Sequence, residues 1–154
     1  MRTVIGDKSR FAIEYEIQSK KAHVMGTMRL WIEGIFIGAI QDVNILSAIL
    51  CHLETPSPKI QGYYYFNKIT FEDIYYLIYR NDDPNDAQYC FDPGESFDDF
   101  WIIYYCDNDY YNFIWRLHDN PYFEYPNYPT EVQNARVAVD EYHKIVMAFG
   151  CAIR

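Results

Sequence analysis

The chain has 154 residues, and its 22 acidic residues against 13 lysines and arginines give a net charge of −9. This charge argues against nucleic acid as a direct ligand, because phosphate backbones are bound by clusters of cations. Half of the residues are hydrophobic and 19% are aromatic, which is typical of a globular protein and not of a disordered one. We therefore predict a single domain over residues 1–154.

The negative charge is concentrated in one segment. Between Glu72 and Glu124 there are 13 acidic residues against Arg80 and Arg116, a balance of −11 that leaves +2 for the rest of the chain. The first ten residues are polar, and no apolar run reaches the length of a membrane span. We predict a cytoplasmic protein that binds neither membrane nor nucleic acid.

The first third of the sequence predicts a β-meander and a helix. Hydrophobic residues alternate with polar ones over residues 11–18, which indicates a half-buried strand. Further strands are predicted at 28–32 and 35–40, on either side of a tight turn at Glu33-Gly34. Asp42 is placed to cap a helix that continues to Glu54.

The middle of the chain is richer in turn residues. A proline-containing loop is predicted at 55–58 and a short strand at 63–66. Thr70 can cap a second helix that continues to about Arg80. Residues 81–96 then form a long loop rich in Asp, Asn and Pro, and loops of this length are often functional.

The last third predicts a hairpin and a helix. Two aromatic strands at 97–106 and 110–118 are joined by a turn at 107–109. Residues 119–129 contain three prolines and are called here the aromatic loop. A third helix is predicted from a Thr130 cap to Gly150. The fold class is therefore α+β, with a mainly antiparallel sheet packed against about three helices.

The sequence contains no recognisable metal or cofactor motif. Its cysteines lie far apart and form no CxxC pair, so they predict neither a zinc site nor a redox motif. These cysteines are Cys51, Cys90, Cys106 and Cys151. We predict reduced and mostly buried thiols, and no cofactor.

Two histidines leave an enzymatic alternative open. His118 is followed by Asp119, and His143 lies three positions after Asp140, so each imidazole has a carboxylate near it that could orient it for acid–base chemistry. Such pairs are common on protein surfaces without any function. We therefore predict a binding protein and keep a small cytosolic enzyme, or a homo-oligomeric adaptor, as the alternative.

The acidic segment and the aromatic hairpin predict the binding surface. Outward aromatic side chains surrounded by carboxylates suit a cationic protein partner, because aromatic residues anchor interfaces and opposite charges steer association. The predicted partner-binding residues are Asp82, Asp83, Asp86, Asp98, Asp99, Asp107, Asp109 and Tyr110.

Four short motifs resemble those of bacterial polymorphic-toxin immunity proteins, and in particular the immunity protein 42 family. They are GDKSRFAIEY at 6–15, RLWIEG at 29–34, FDDF at 97–100 and IWRL at 114–117. The resemblance implies a small cytosolic protein, often of the contact-dependent growth-inhibition type, that binds the C-terminal domain of a cognate toxin and blocks it without catalysis. An acidic inhibitor also suits a basic nuclease, which must itself bind phosphates.

Overall fold

The computed structural model describes residues 1–55, 68–81 and 84–154. The predicted strand at 63–66 lies outside the described residues, as does most of the predicted loop at 55–58. Asp82 and Asp83 of the predicted binding surface also lie outside them.

The first sheet is an antiparallel meander. In order it contains β1 (Thr3–Asp7), β2 (Phe11–Lys20), β3 (Val24–Ile32) and β4 (Ile35–Ile37), while β5 (Asn44–Ile45) also pairs with β3. The predicted strand at 11–18 is confirmed as β2, but its predicted half-buried alternation is wrong over 11–15, where all five residues are buried. β1 was not predicted, because its residues are mostly polar or exposed and it is held by backbone pairing with β2 at the sheet edge.

The second sheet contains β6 (Phe100–Asp107), β7 (Tyr110–Leu117) and β8 (Gln133–Ala138), all antiparallel and in that order. The predicted hairpin is confirmed as β6 and β7. The predicted helix from Thr130 is wrong over 133–138, because this segment pairs with β7 instead. Its Ala135 and Val137 are buried and Asn134 and Arg136 are exposed, which is the period of a strand.

Three α-helices lie in the described ranges: α1 (Leu46–Glu54), α2 (Phe71–Asn81) and α3 (Val139–Ile153). The predicted cap of α2 is confirmed, since the Asp73 amide donates to Thr70 Oγ1 at 3.2 Å. The predicted cap of α1 is wrong, because α1 follows Ile45 and has no side-chain cap. Among these helices, none combines the length and the apolarity needed to cross a membrane.

Gly150 lies inside α3 and does not end it. A β-carbon at this position would come within 3.2 Å of Leu50 Cδ2, so the glycine allows α3 to pack closely against α1. The prediction that Gly150 stops the helix is therefore wrong, and the reason is tertiary contact, which the local sequence does not encode.

Two hydrophobic clusters hold these layers together. The larger one joins the first sheet, α1, α3 and one face of the second sheet through side chains such as Phe11, Leu50, Trp115 and Phe149. The smaller one joins α2 to the opposite face of the second sheet, where Ile103 lies. The α+β class is thus confirmed, with its antiparallel strands divided between two sheets.

The hydroxyl of Tyr142 ties α3 to the end of α1. It is buried and donates a hydrogen bond to the Leu53 carbonyl at 2.9 Å. We expect Tyr142→Phe to lower the free energy of unfolding by about 1 kcal/mol, because a buried carbonyl loses its donor. Urea unfolding would measure this, with the exposed Tyr122→Phe as the control that leaves stability unchanged. An equal effect of both changes would contradict the assignment.

Candidate functional site

The predicted binding residues fall at two ends of the second sheet. Asp98 and Asp99 directly precede β6, whereas Asp107, Asp109 and Tyr110 lie at the hairpin turn beyond its other end. An eight-residue strand is roughly 26 Å long, so the structure does not bring these two groups together. Asp86 lies apart from both groups, buried in a 3-10 turn at Pro84–Tyr89.

The hairpin end carries charges of both signs. The Tyr110 ring lies 4.3 Å from the Arg136 guanidinium, and Arg10 forms a 2.7 Å ion pair with Glu141 nearby. These four side chains line the same shallow pocket of about 210 Å³. Cations therefore accompany the acids at this end and reduce its negative potential.

Asp99 is an internal anchor of the aromatic loop. Asp99 is only 6% exposed, and its Oδ1 accepts a hydrogen bond from the Tyr122 amide at 2.6 Å. Its Oδ2 accepts the Phe123 amide at 3.0 Å and the Tyr125 hydroxyl at 2.8 Å. Both oxygens are therefore occupied within the chain, and they fix where the loop presents its aromatic side chains.

Beside this anchor lies a pocket of about 410 Å³, called here the acidic pocket. The acidic pocket is formed by three segments that are distant in sequence. They are the loop after β4, the 3-10 turn at Glu95–Phe97 with the two residues that follow it, and the aromatic loop. Its lining residues are Asp42, Glu95, Asp98, Asp99, Tyr122 and Phe123. The pocket thus combines four carboxyl groups with two aromatic rings.

The loop after β4 is fastened to the 3-10 turn by a small polar network. Asp42 Oδ2 accepts hydrogen bonds from Asn44 Nδ2 at 2.7 Å and from Ser96 Oγ at 3.3 Å. The Ala39 amide also donates to the Ser96 carbonyl at 2.7 Å. Asp42 was predicted to cap α1; instead it holds this wall of the acidic pocket.

The described lining of the acidic pocket contains no lysine or arginine. In the described part of the chain, no lysine or arginine forms an ion pair with Glu95 or Asp98. Burial raises the pKa of the Asp98 carboxyl, and the carboxylates of Asp92, Glu95, Asp42 and Asp99 raise it further. This repulsion would be relieved by a cation supplied from outside.

A second concavity of about 270 Å³, called here the aromatic groove, shares Asp98 with the acidic pocket. Trp101 is 43% exposed and its ring stacks on Tyr79, with centroids 5.2 Å apart. His118 contacts the same indole edge-on at 4.6 Å, and Asp92 lines the groove as well. The two concavities form one continuous acidic and aromatic surface.

The structure does not pair either histidine with its predicted carboxylate. Asp119 bonds to the Arg116 guanidinium at 2.6 Å, and His143 Nε2 shares a 2.8 Å hydrogen bond with the Tyr111 hydroxyl. Burial lowers the pKa of His118, and its Nε2 has no hydrogen-bond partner among the described residues. Neither imidazole is therefore oriented as a general base would be.

None of the four cysteines, all of which lie in the described ranges, forms a disulfide, and three of them are exposed. The prediction that most are buried is wrong, because these small side chains lie on outward positions of their helices and turns. Among the described residues, no three His, Cys, Asp or Glu side chains are grouped so as to hold a metal ion.

The sequence predicted Asp98 and Asp99 but missed four other residues of the acidic pocket, which are Asp42, Glu95, Tyr122 and Phe123. The last three lie in the acidic segment and are of the residue types expected at a binding surface. The mixture of acidic and aromatic residues in 119–129 was the available signal. What could not be predicted was that this loop folds back beside Asp98.

The fold has a solved counterpart. The chain is similar to the crystal structure of CdiI from Burkholderia dolosa AUO158, with a TM-score of 0.67 and 15% sequence identity over 97% of this chain and 99% of that chain. At this identity the likeness concerns the fold. No curated protein matches the sequence.

The sequence itself identifies the family. The family model described as Immunity protein 42 matches residues 1–150, almost the whole chain. The chain belongs to the immunity protein 42 family, which confirms the resemblance of its motifs. Its function is to neutralise a toxin, and its partner is a protein.

Proposed function

We propose that the acidic pocket and the aromatic groove form the surface that binds the C-terminal domain of a basic toxin. The observation that carries this proposal is the position of Glu95 and Asp98 beside the exposed rings of Tyr122 and Trp101, since neither carboxylate forms an ion pair within the described residues. Tyr122 is 88% exposed. Exposed aromatic residues next to uncompensated charge are the composition of interface anchors.

A nuclease fits this surface by charge. Nucleases carry cationic surfaces because they bind phosphates, and an acidic inhibitor that covers such a surface would exclude the substrate. In this proposal the chain acts as one domain over residues 1–154 in the cytoplasm of the producing cell, as part of contact-dependent growth inhibition. It inhibits stoichiometrically and is not an enzyme.

The other predicted partner-binding residues contribute less to the proposed interface. Asp82 and Asp83 are kept in the interface because of their charge, whereas Asp86 is left out because it is buried. Asp107, Asp109 and Tyr110 define a competing interface at the hairpin end, where Arg136 and Arg10 reduce the negative potential.

Two matched double charge reversals distinguish the ends. We expect Glu95→Lys with Asp98→Lys to slow association with the toxin domain at least tenfold, because the field that steers a basic partner is reversed. Asp107→Lys with Asp109→Lys adds the same charge at the other end and should change the rate less than threefold. The probe is the catalytically inactivated product of the upstream gene, with association measured by stopped flow at two salt concentrations.

Protection of cells gives the second readout. Wild-type protein and the hairpin variant should rescue cells that express the active toxin, while the pocket variant should rescue them poorly. The reverse ranking would move the interface to the hairpin end. Failure of the wild-type chain both to bind this product and to rescue cells from it would refute the proposed function. A stable homo-oligomer that buries Trp101 would favour the adaptor alternative.

A further inference from the structure

The aromatic groove is a preformed platform for a planar group. Tyr79 stacks on the Trp101 ring at an interplanar angle of 27°, and His118 makes a T-shaped contact with it. The indole is thus held in place, and Trp101 yet remains 43% exposed. Cations bind well over aromatic rings, and tryptophan binds them best.

The groove also offers carboxylate oxygens as hydrogen-bond acceptors. Asp98 and Asp92 line it, and neither forms an ion pair within the described residues. His118 also lines the groove, and burial lowers the pKa of its imidazole, which disfavours a competing positive charge there.

A guanidinium matches this set better than an ammonium. Arginine is planar, stacks on aromatic faces and presents five donors, whereas lysine is a compact and strongly hydrated point charge. The groove volume of about 270 Å³ suits one long side chain and not a helix. Resting on the proposed function, we infer that the aromatic groove receives a single arginine of the toxin, stacked on Trp101 and paired with Asp98.

Calorimetric titration of the intact chain with the inactivated toxin domain tests this inference. We expect Asp98→Asn, which keeps the side-chain shape, to weaken binding about tenfold to a hundredfold, because a charge-assisted contact at an interface centre is lost. Trp101→Leu should weaken binding about tenfold. Asp140→Asn is the matched control, since it removes one exposed charge from the first turn of α3, and should bind within twofold of wild type.

The toxin side of the contact is mapped by changing each of its arginines to lysine. One such change should weaken binding to the wild-type chain about tenfold and should have little further effect on Asp98→Asn, because both changes remove the same contact. Equal binding by Asp98→Asn and Asp140→Asn would overturn the arginine inference while leaving the toxin complex intact. Losses spread over several arginines with no coupling to Asp98 would also overturn it. No binding by the wild-type chain would instead refute the proposed function.

Discussion

Replacing Asp99 with alanine is expected to lower the free energy of unfolding by about 3 kcal/mol. The change removes the acceptor of three hydrogen bonds, from the Tyr122 and Phe123 amides and from the Tyr125 hydroxyl. Bonds to a charged acceptor contribute about 1.5–3 kcal/mol each, but all three donors belong to the aromatic loop, which water can partly reach, so the expected total lies below their sum. For a chain of this size the melting temperature should fall by roughly 6–12 °C.

The same substitution should also weaken toxin binding. Asp99 holds the aromatic loop, whose Tyr122 and Phe123 line the acidic pocket, so its loss would free both rings. Asp119→Ala is the matched control, because it removes an exposed carboxylate whose ion pair is with Arg116 at the surface. Thermal unfolding and toxin titration measure both effects. Unchanged stability in Asp99→Ala would show that the loop is held by other contacts, such as those of Tyr128.

Replacing Glu14 with glutamine is expected to lower the free energy of unfolding at pH 7 by about 3 kcal/mol. Glu14 is 5% exposed and accepts hydrogen bonds from Arg29 Nε at 2.9 Å and from Trp31 Nε1 at 2.7 Å. Lys8 Nζ lies 3.1 Å away. Burial alone would raise the pKa of this carboxyl, but the bonds from Trp31, Arg29 and Lys8 lower it to about 2.

The pH dependence distinguishes charge from packing. Because the pKa of Glu14 falls from 4.5 to about 2 on folding, its contribution is complete above pH 4.5 and is lost as the pH falls towards 2. The difference between wild type and Glu14→Gln in urea unfolding should therefore shrink from about 3 kcal/mol at pH 7 to roughly half of that at pH 3.

A surface pair provides the control for this measurement. Glu54 lies 3.7 Å from Arg154 with both side chains exposed, so Glu54→Gln should change stability by less than about 0.5 kcal/mol at either pH. A difference between wild type and Glu14→Gln that stays constant with pH would show that the charge of Glu14 does not stabilise the fold.

Several elements were predicted correctly because their signals are local. The strand β2, the β6–β7 hairpin and the Thr70 cap of α2 each depend on residues a few positions apart. β8 was mispredicted because its hydrophobic spacing fits a helix as well as a strand, and pairing with β7 decided between them. β1 was missed because backbone pairing with β2, and not its own side chains, holds it in the sheet.

The candidate site was predicted in part. The acidic segment pointed to Asp98 and to a cationic partner, and both remain in the proposal. Asp99 has the same residue type and a neighbouring position, yet the structure turns its carboxylate inward to the aromatic loop. Asp42 enters the site from a distant segment. Neighbouring identical residues differ in this way because their environments are set by long-range packing.

The sequence by itself determined the α+β class, the acidic character and the family. These follow from composition, periodicity and short motifs, which persist whatever the three-dimensional arrangement. Only the tertiary structure decided which carboxylates share one surface and which form hydrogen bonds inside the fold. The acidic pocket lies where the loop after β4, the turn before β6 and the aromatic loop come together. The relative position of these three segments depends on how the two sheets pack, and no single segment of the sequence encodes it.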